Sequence, residues 1–430
     1  MAKFRQLTYG CHGHTIANRA CWTADGNSIV FDTRVDETRF DSPEILRVSV
    51  ASGQVDTVYR SPPTRGGAIC CGVPTCSPQD DRVVFIRQDS PPSRDWDYCP
   101  WHRHGVIVRA DRPDQAATLD ARDLVSPFTP GALRGGTHLH TFHPTAAAVL
   151  STYEDHLLAT SSVPAEANRR CLAVHLLDHP VTVPQPSHPY NQDGISFSVV
   201  VSRIDDRPEP GSDQIAVATG EAWLGRQNRI AFQGTVSDDC GRAFVELFLL
   251  TLPSDLKQLM IAADRPLQGT ATTRPAVPAG VSQTRLTHTQ GERFPGLAGP
   301  RHWAVASPEG SRIGCFRRDD RGIVQFWTVD SSSGEPRQVS CADFEPTSAF
   351  TWHPDGGQVA YVADGSVMLV DVDTGRLTRL TRKRPPATAP THHACVFSPD
   401  GSAIAVTCPV VDRSGSSASR FPQIHVVTDW

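Results

Sequence analysis

The stretch Trp352-His-Pro-Asp-Gly356, followed at once by the β-rich run 358–362, decides the fold. Proline presets φ, aspartate bonds its own backbone and glycine accepts a positive φ. Pro-Asp-Gly between alternating apolar residues therefore reads as a hairpin turn. A third run (367–372), the turn Asp373-Thr-Gly375 and a fourth run ending in Thr378-Arg-Leu-Thr381 complete the unit. The next copy, Phe397-Ser-Pro-Asp-Gly401, begins 45 residues after Trp352. Four antiparallel strands repeating at this period make a propeller blade.

Working outward, the form recurs at Trp22-Thr-Ala-Asp-Gly26, Cys76-Ser-Pro-Gln-Asp80, Phe142-His-Pro-Thr-Ala146 and Ala306-Ser-Pro-Glu-Gly310, each followed by a strand. Leu224-Gly-Arg-Gln-Asn228, ahead of 229–232 and 245–252, is a weaker seventh copy. No long segment shows helical apolar periodicity. The chain ends on a strand (423–427) with no closing run, whereas it starts with Phe4-Arg-Gln-Leu-Thr8. The N-terminal strand is thus expected to complete the last blade and remove the open edges. The reading is one all-β domain over 1–430, a seven-bladed β-propeller of four-stranded antiparallel blades. Seven simple blades need only about 300 residues, so long insertions are expected within 88–135, 153–223 and 253–300, decorating one rim.

The chain of 430 residues is 39% apolar and 20% charged, enough for a core and far from disorder. Its 41 basic and 46 acidic residues give a net charge of −5, which argues against a nucleic-acid partner. No apolar run approaches the roughly 18 residues of a membrane span, and residues 1–8 lack a signal core. Twelve cysteines without a CxxC pair read as reduced thiols in a cytoplasm rather than disulfides or a zinc ribbon. P-loop and GxGxxG motifs are missing, so no nucleotide cofactor is expected. A monomer is expected.

Aligning six units on their anchors exposes one column. Four residues before the anchor stand Asn18, Gly72, His138, His302, Ser348 and His393. This segment leads into the innermost strand, which lines the channel, so side chains at one level converge on the axis. Converging imidazoles suit a divalent transition metal or proton transfer; structural histidines bridging blades are the other account. His138 and His140 stand at alternate positions, hence on one strand face, behind Arg134 and a Gly pair. Arg301 precedes His302, and Asn18, Arg19 and Ser348 are placed against a substrate. His12 with His14, and His102 with His104, read as solvated loop residues, and His143 and His353 as turn residues.

The sequence resembles the YidR-like family of bacterial propellers. The likeness rests on Val30-Phe-Asp32, His102-Arg-His-Gly-Val-Ile-Val108, Pro127-Phe-Thr-Pro-Gly-Ala-Leu-Arg-Gly-Gly-Thr-His-Leu-His140, Pro210-Gly-Ser-Asp213, Pro300-Arg-His-Trp303 and Arg318-Asp-Asp-Arg-Gly-Ile-Val-Gln325. That family implies a fold and no settled activity. A more distant resemblance is to oligogalacturonate lyases, seven-bladed propellers with TolB-like repeats and His-bound manganese at the channel mouth. Their Gln-x-x-His-x-His ligand string is absent here. The resemblance implies a carbohydrate lyase acting on uronate-containing oligosaccharides by β-elimination. Under it, His138, His302 and His393 would hold the metal (manganese, with zinc or iron as alternatives). Arg134 and Arg301 would neutralise the substrate carboxylate, and His140 would be the base. The competing expectation is a non-catalytic propeller that binds a protein partner or a sugar.

Overall fold

The computed structural model describes residues 2–35, 39–184, 187–300, 303–393, 395–412 and 419–430. Seven antiparallel sheets form the blades of a propeller, built in chain order from 15–60, 71–118, 135–200, 218–285, 305–338, 346–379 and 396–428. Blade 1 has three ladder strands, and bridges Thr15 to Asp32 and Trp22 to Ile29 mark its innermost position. The N-terminal strand Lys3–Gln6 pairs with Ser419–Thr428, so blade 7 is closed by the start of the chain as expected. Among the described residues, α-helix is confined to His156–Thr160.

The turn motif sits where the sequence places it, between the first and second strands of each blade. Thr23 N–H donates to the Ser28 carbonyl, and His143, Ser307, His353 and Ser398 repeat this bond. In blade 4 the equivalent donor is Leu224, so its anchor is Trp223, one residue earlier than the Leu224 unit implied. Three anchor tryptophans then do the same job. Trp22, Trp223 and Trp352 donate their indole N–H to the inner strand of the preceding blade, at Val396, Thr141 and Val305. The anchor column thus joins neighbouring blades, and apolar clusters such as Phe316, Phe326, Phe350 and Trp352 fill the gaps between them.

Two expectations need correction. The segments expected to be insertions contain outer strands: Arg103–Arg109 and Arg112–Thr118 in blade 2, Cys171–Val181 and Gly194–Val200 in blade 3, and Ser282–Arg285 in blade 4. Irregular lengths and broken alternation had hidden them. Nor do the long loops share one rim. Strands alternate in direction, so 89–102, 119–134 and 156–170 open on the face opposite the Asp-Gly turns, whereas 252–281 leaves from the turn face. That segment crosses over: the Thr272 carbonyl accepts from Ala165 and Glu166 N–H in the 156–170 loop.

A register break recurs in the inner strands of blades 2, 3, 4 and 6. In three of them a residue at the break has a positive φ: Val73, Leu139 and Gly220. A bulge inserts one residue and re-aims those that follow. His138 pairs with Thr152 and Thr141 with Leu150, so Thr141, not His140, returns to the face of His138.

Candidate functional site

The channel end opposite the turns gathers side chains from at least four blades. His138, on the inner strand Gly135–Phe142, is 5% exposed, and its Nδ1 has no hydrogen-bond partner among the described residues. Burial, then the nearby Arg103 and Arg170 guanidiniums, hold its pKa well below the ordinary imidazole value. Arg103 opens the third strand of blade 2, and its Nε is also buried without a partner. Its guanidinium lies 4.7 Å from the centre of the Tyr98 ring, which stacks on Phe40. Arg170 is exposed at this end and bonds Glu154 through Nε at 2.8 Å.

Arg19 of blade 1 reaches across the channel to donate to the Glu221 carbonyl of blade 4. It also lies over the Trp303 ring at 5.5 Å. The Glu221 carboxylate is fully buried and accepts from Thr152 Oγ1 at 3.0 Å. Burial raises its pKa, and Arg19 opposes that rise. Cations thus outnumber unshared carboxylates around His138, and the arrangement suits a bound anion.

The structure distributes the residues expected at the site unequally. His138 and Arg19 both lie at this channel end, Arg19 against Glu221, and Asn18 is buried next to Arg19 in the chain. Ser348 is fully buried and bonds within its own blade, accepting from Val362 N–H at 2.8 Å and donating to the Ala349 carbonyl. His140 packs between blades 2 and 3, with Nε2 3.0 Å from Thr137 Oγ1 and the His175 ring 6.0 Å away. Gly105 faces it so closely that a Cβ there would come within 2.8 Å of the imidazole. The bulge at Leu139 is the reason for this separation of His138 and His140.

Arg134 is fully buried in a structural network. It pairs with Asp155 at 2.5 Å and donates to the Thr270 and Thr273 carbonyls. His393 is half-buried with its ring against His392 at 4.3 Å, and the His392 carbonyl accepts from Ala349 N–H. Arg301 and His302 lie outside the described residues. Among the described residues, no trio of metal-ligand atoms includes His138 or His393.

Of the histidines read as solvated, His12 is exposed as expected, whereas His14, His102 and His104 are enclosed. His14 is 2% exposed, and His104 is fully buried with Nδ1 2.9 Å from Asp89 Oδ1. His102 stacks on Trp96 at 3.6 Å, and Tyr190 stacks on Trp96 at 3.8 Å. Arg122, fully buried, ties this region together through Asp89, the Gly135 carbonyl and the Arg103 carbonyl. Sequence reasoning passed over Arg103 and Arg170 because Arg103 opens a third strand and Arg170 directly precedes one, both away from the anchor column. The His102-Arg-His run was the one signal available for Arg103.

Comparison with known proteins adds a family and a fold. A family described as a protein of unknown function, DUF3748, matches residues 70–192. The uncharacterised protein YidR of Escherichia coli K12 is 38% identical over 402 residues, covering 93% of this chain and 94% of that one. An oligogalacturonate lyase in complex with manganese superposes with a TM-score of 0.57 at 14% identity, over 99% of this chain and 93% of that one. The oligogalacturonate lyase of Vibrio parahaemolyticus gives 0.54 at 10% identity, with 99% and 93% covered. A puromycin hydrolase gives 0.54 at 14%, over 94% of this chain but 51% of the hydrolase. At such identities the solved structures carry the propeller fold alone.

Proposed function

This chain belongs to the YidR family, and on that premise we propose that its channel end binds uronate-bearing oligosaccharides and cleaves them by β-elimination. One observation carries the reading. Two guanidiniums, Arg103 and Arg170, act on a buried neutral imidazole, His138, whose Nδ1 is unpartnered. A guanidinium pair is suited to a carboxylate, and it stabilises the negative charge that builds up when the neighbouring C–H proton leaves.

His138 would take that proton. The C–H electron pair becomes the new double bond, the β C–O bond breaks, and the departing oxygen takes a proton from water. Burial first, and then both cations, depress His138 in the free protein; a bound carboxylate would offset the cations' share and raise its basicity toward what the step needs. The manganese ion that the fold resemblance implies would sit on His138, His302 and His393. The described residues do not fit that set, because the charges acting on His138 are guanidiniums. A reducing cytoplasm suits the twelve unpaired cysteines.

The test is incubation with oligogalacturonates while following the ultraviolet absorbance of the unsaturated product, with chelator and with added manganese. Arg103→Lys and Arg170→Ala are expected to lower kcat/KM by about 100-fold, the scale of losing one such donor. His138→Gln should abolish turnover yet retain sugar binding. Failure of the wild-type chain to bind any uronate defeats the proposal, and activity that survives His138→Gln removes the base. The second reading, a sugar-binding propeller without turnover, is favoured by the depressed basicity of His138. Binding with no absorbance change would establish it.

A further inference from the structure

The 89–102 loop of blade 2 carries a second cluster, separate from the chemistry above. Within Asp97-Tyr-Cys-Pro-Trp-His102, one donor atom from each of Asp97, Cys99 and His102 lies within 4.8 Å of the other two. Cys99 Sγ is 3.0 Å from Asp97 Oδ1, and His102 Nδ1 is 3.7 Å from the same oxygen. A tetrahedral zinc ion with bonds of about 2.0–2.3 Å spaces its ligand atoms roughly 3.3–3.8 Å apart. The three side chains thus already stand near ligand spacing.

Local structure explains the convergence. Pro100 starts the 3-10 turn Pro100–His102, and His102 N–H donates to the Cys99 carbonyl, folding the loop back within a single turn. The donors span six residues, so gathering them costs little loop entropy. The imidazole is also held in place. Trp96 stacks on it in a nearly parallel plane at 3.6 Å, and His156 Nδ1 lies 3.0 Å from its Nε2. His102 Nδ1 lies 2.7 Å from the Asp97 carbonyl. Ligation at Nδ1 would move the proton to Nε2, and His156 would accept it, as outer-shell partners of metal-bound histidines do. Asp97 remains 68% exposed, which gives an ion a path in and leaves room for water as a fourth ligand.

We propose that Asp97, Cys99 and His102 form a binding site for a zinc-class divalent cation. A thiolate, an imidazole and a carboxylate are a borderline-soft donor set, unlike the all-oxygen shells of calcium or magnesium. The bound ion would pin the loop that ends at Arg103. The site does not depend on the lyase reading, and its test does not use turnover.

Cobalt(II) titration of the full chain tests it, because a bound thiolate gives cobalt a charge-transfer absorption. The expected result is one cobalt per chain with that band, displaced by zinc. Cys99→Ser should abolish the band, Asp97→Asn should weaken binding at least tenfold, and Cys341→Ser should change neither. Should a variant misfold, zinc protection of Cys99 from alkylation in the wild-type chain, read by mass spectrometry, supplies the same answer. Wild-type chain without a thiolate band, a band that persists in Cys99→Ser, or Cys99 equally alkylated with and without zinc would each overturn the assignment.

Discussion

Lowering the pH from 7 to 5 is expected to remove most of the stability of this propeller. His14, His104, His175 and His425 are each at most 5% exposed. Burial, the first cause in every case, pushes their pKa values down to about 4, about 4, about 3 and about 4. An unfolded imidazole titrates near 6.5, so between pH 6.5 and 4 the unfolded chain binds more protons than the native one. Stability is therefore lost as pH falls through this window. Each such histidine costs about 2 kcal/mol at pH 5 relative to pH 7, and four together approach a typical total stability. Asp120 has the opposite sign, since burial raises it to about 6 and its contribution is lost as pH rises. It restores only about 1 kcal/mol over the same interval. Urea unfolding at pH 7, 6 and 5 measures the sum. A midpoint that does not move would mean that these imidazoles are hydrated in the native state.

Arg134→Ala is expected to cost about 3–5 kcal/mol, the penalty for stranding one partner of a buried ion pair. Asp155, 2% exposed, would lose its counter-charge, although Tyr153 Oη and Leu158 N–H would still donate to it. The same change releases the Thr270 and Thr273 carbonyls, so protease cleavage within 253–281 should accelerate along with the loss of stability. Lysine restores the charge but not the planar fork and should recover only part of the loss. A shift below about 1 kcal/mol, with the segment as resistant as before, would contradict the network.

Much of the architecture is legible in the chain itself, and the reason is local. A Pro-Asp-Gly turn carries its geometry in three residues, so each blade announces its own hairpin, and Trp22 and Trp352 mark where blades meet. Blade 4 was displaced by one residue because Gln227 stands where glycine usually stands. The site was less legible. His138 emerged from the anchor column, yet Arg103 and Arg170 reach it from the starts of third strands whose alternation is irregular, Arg170 from the residue just before its strand.

Sequence alone determined the number of blades, the closure by Lys3–Gln6 and the arrival of His138 at the channel, because turn chemistry and strand period act over a few neighbouring residues. Tertiary structure decided which charges surround that imidazole. A one-residue bulge at Leu139 turned His140 into the interface between blades, and Asp155 claimed Arg134. Both outcomes depend on atoms far apart in the chain, and burial is settled only when the ring is closed.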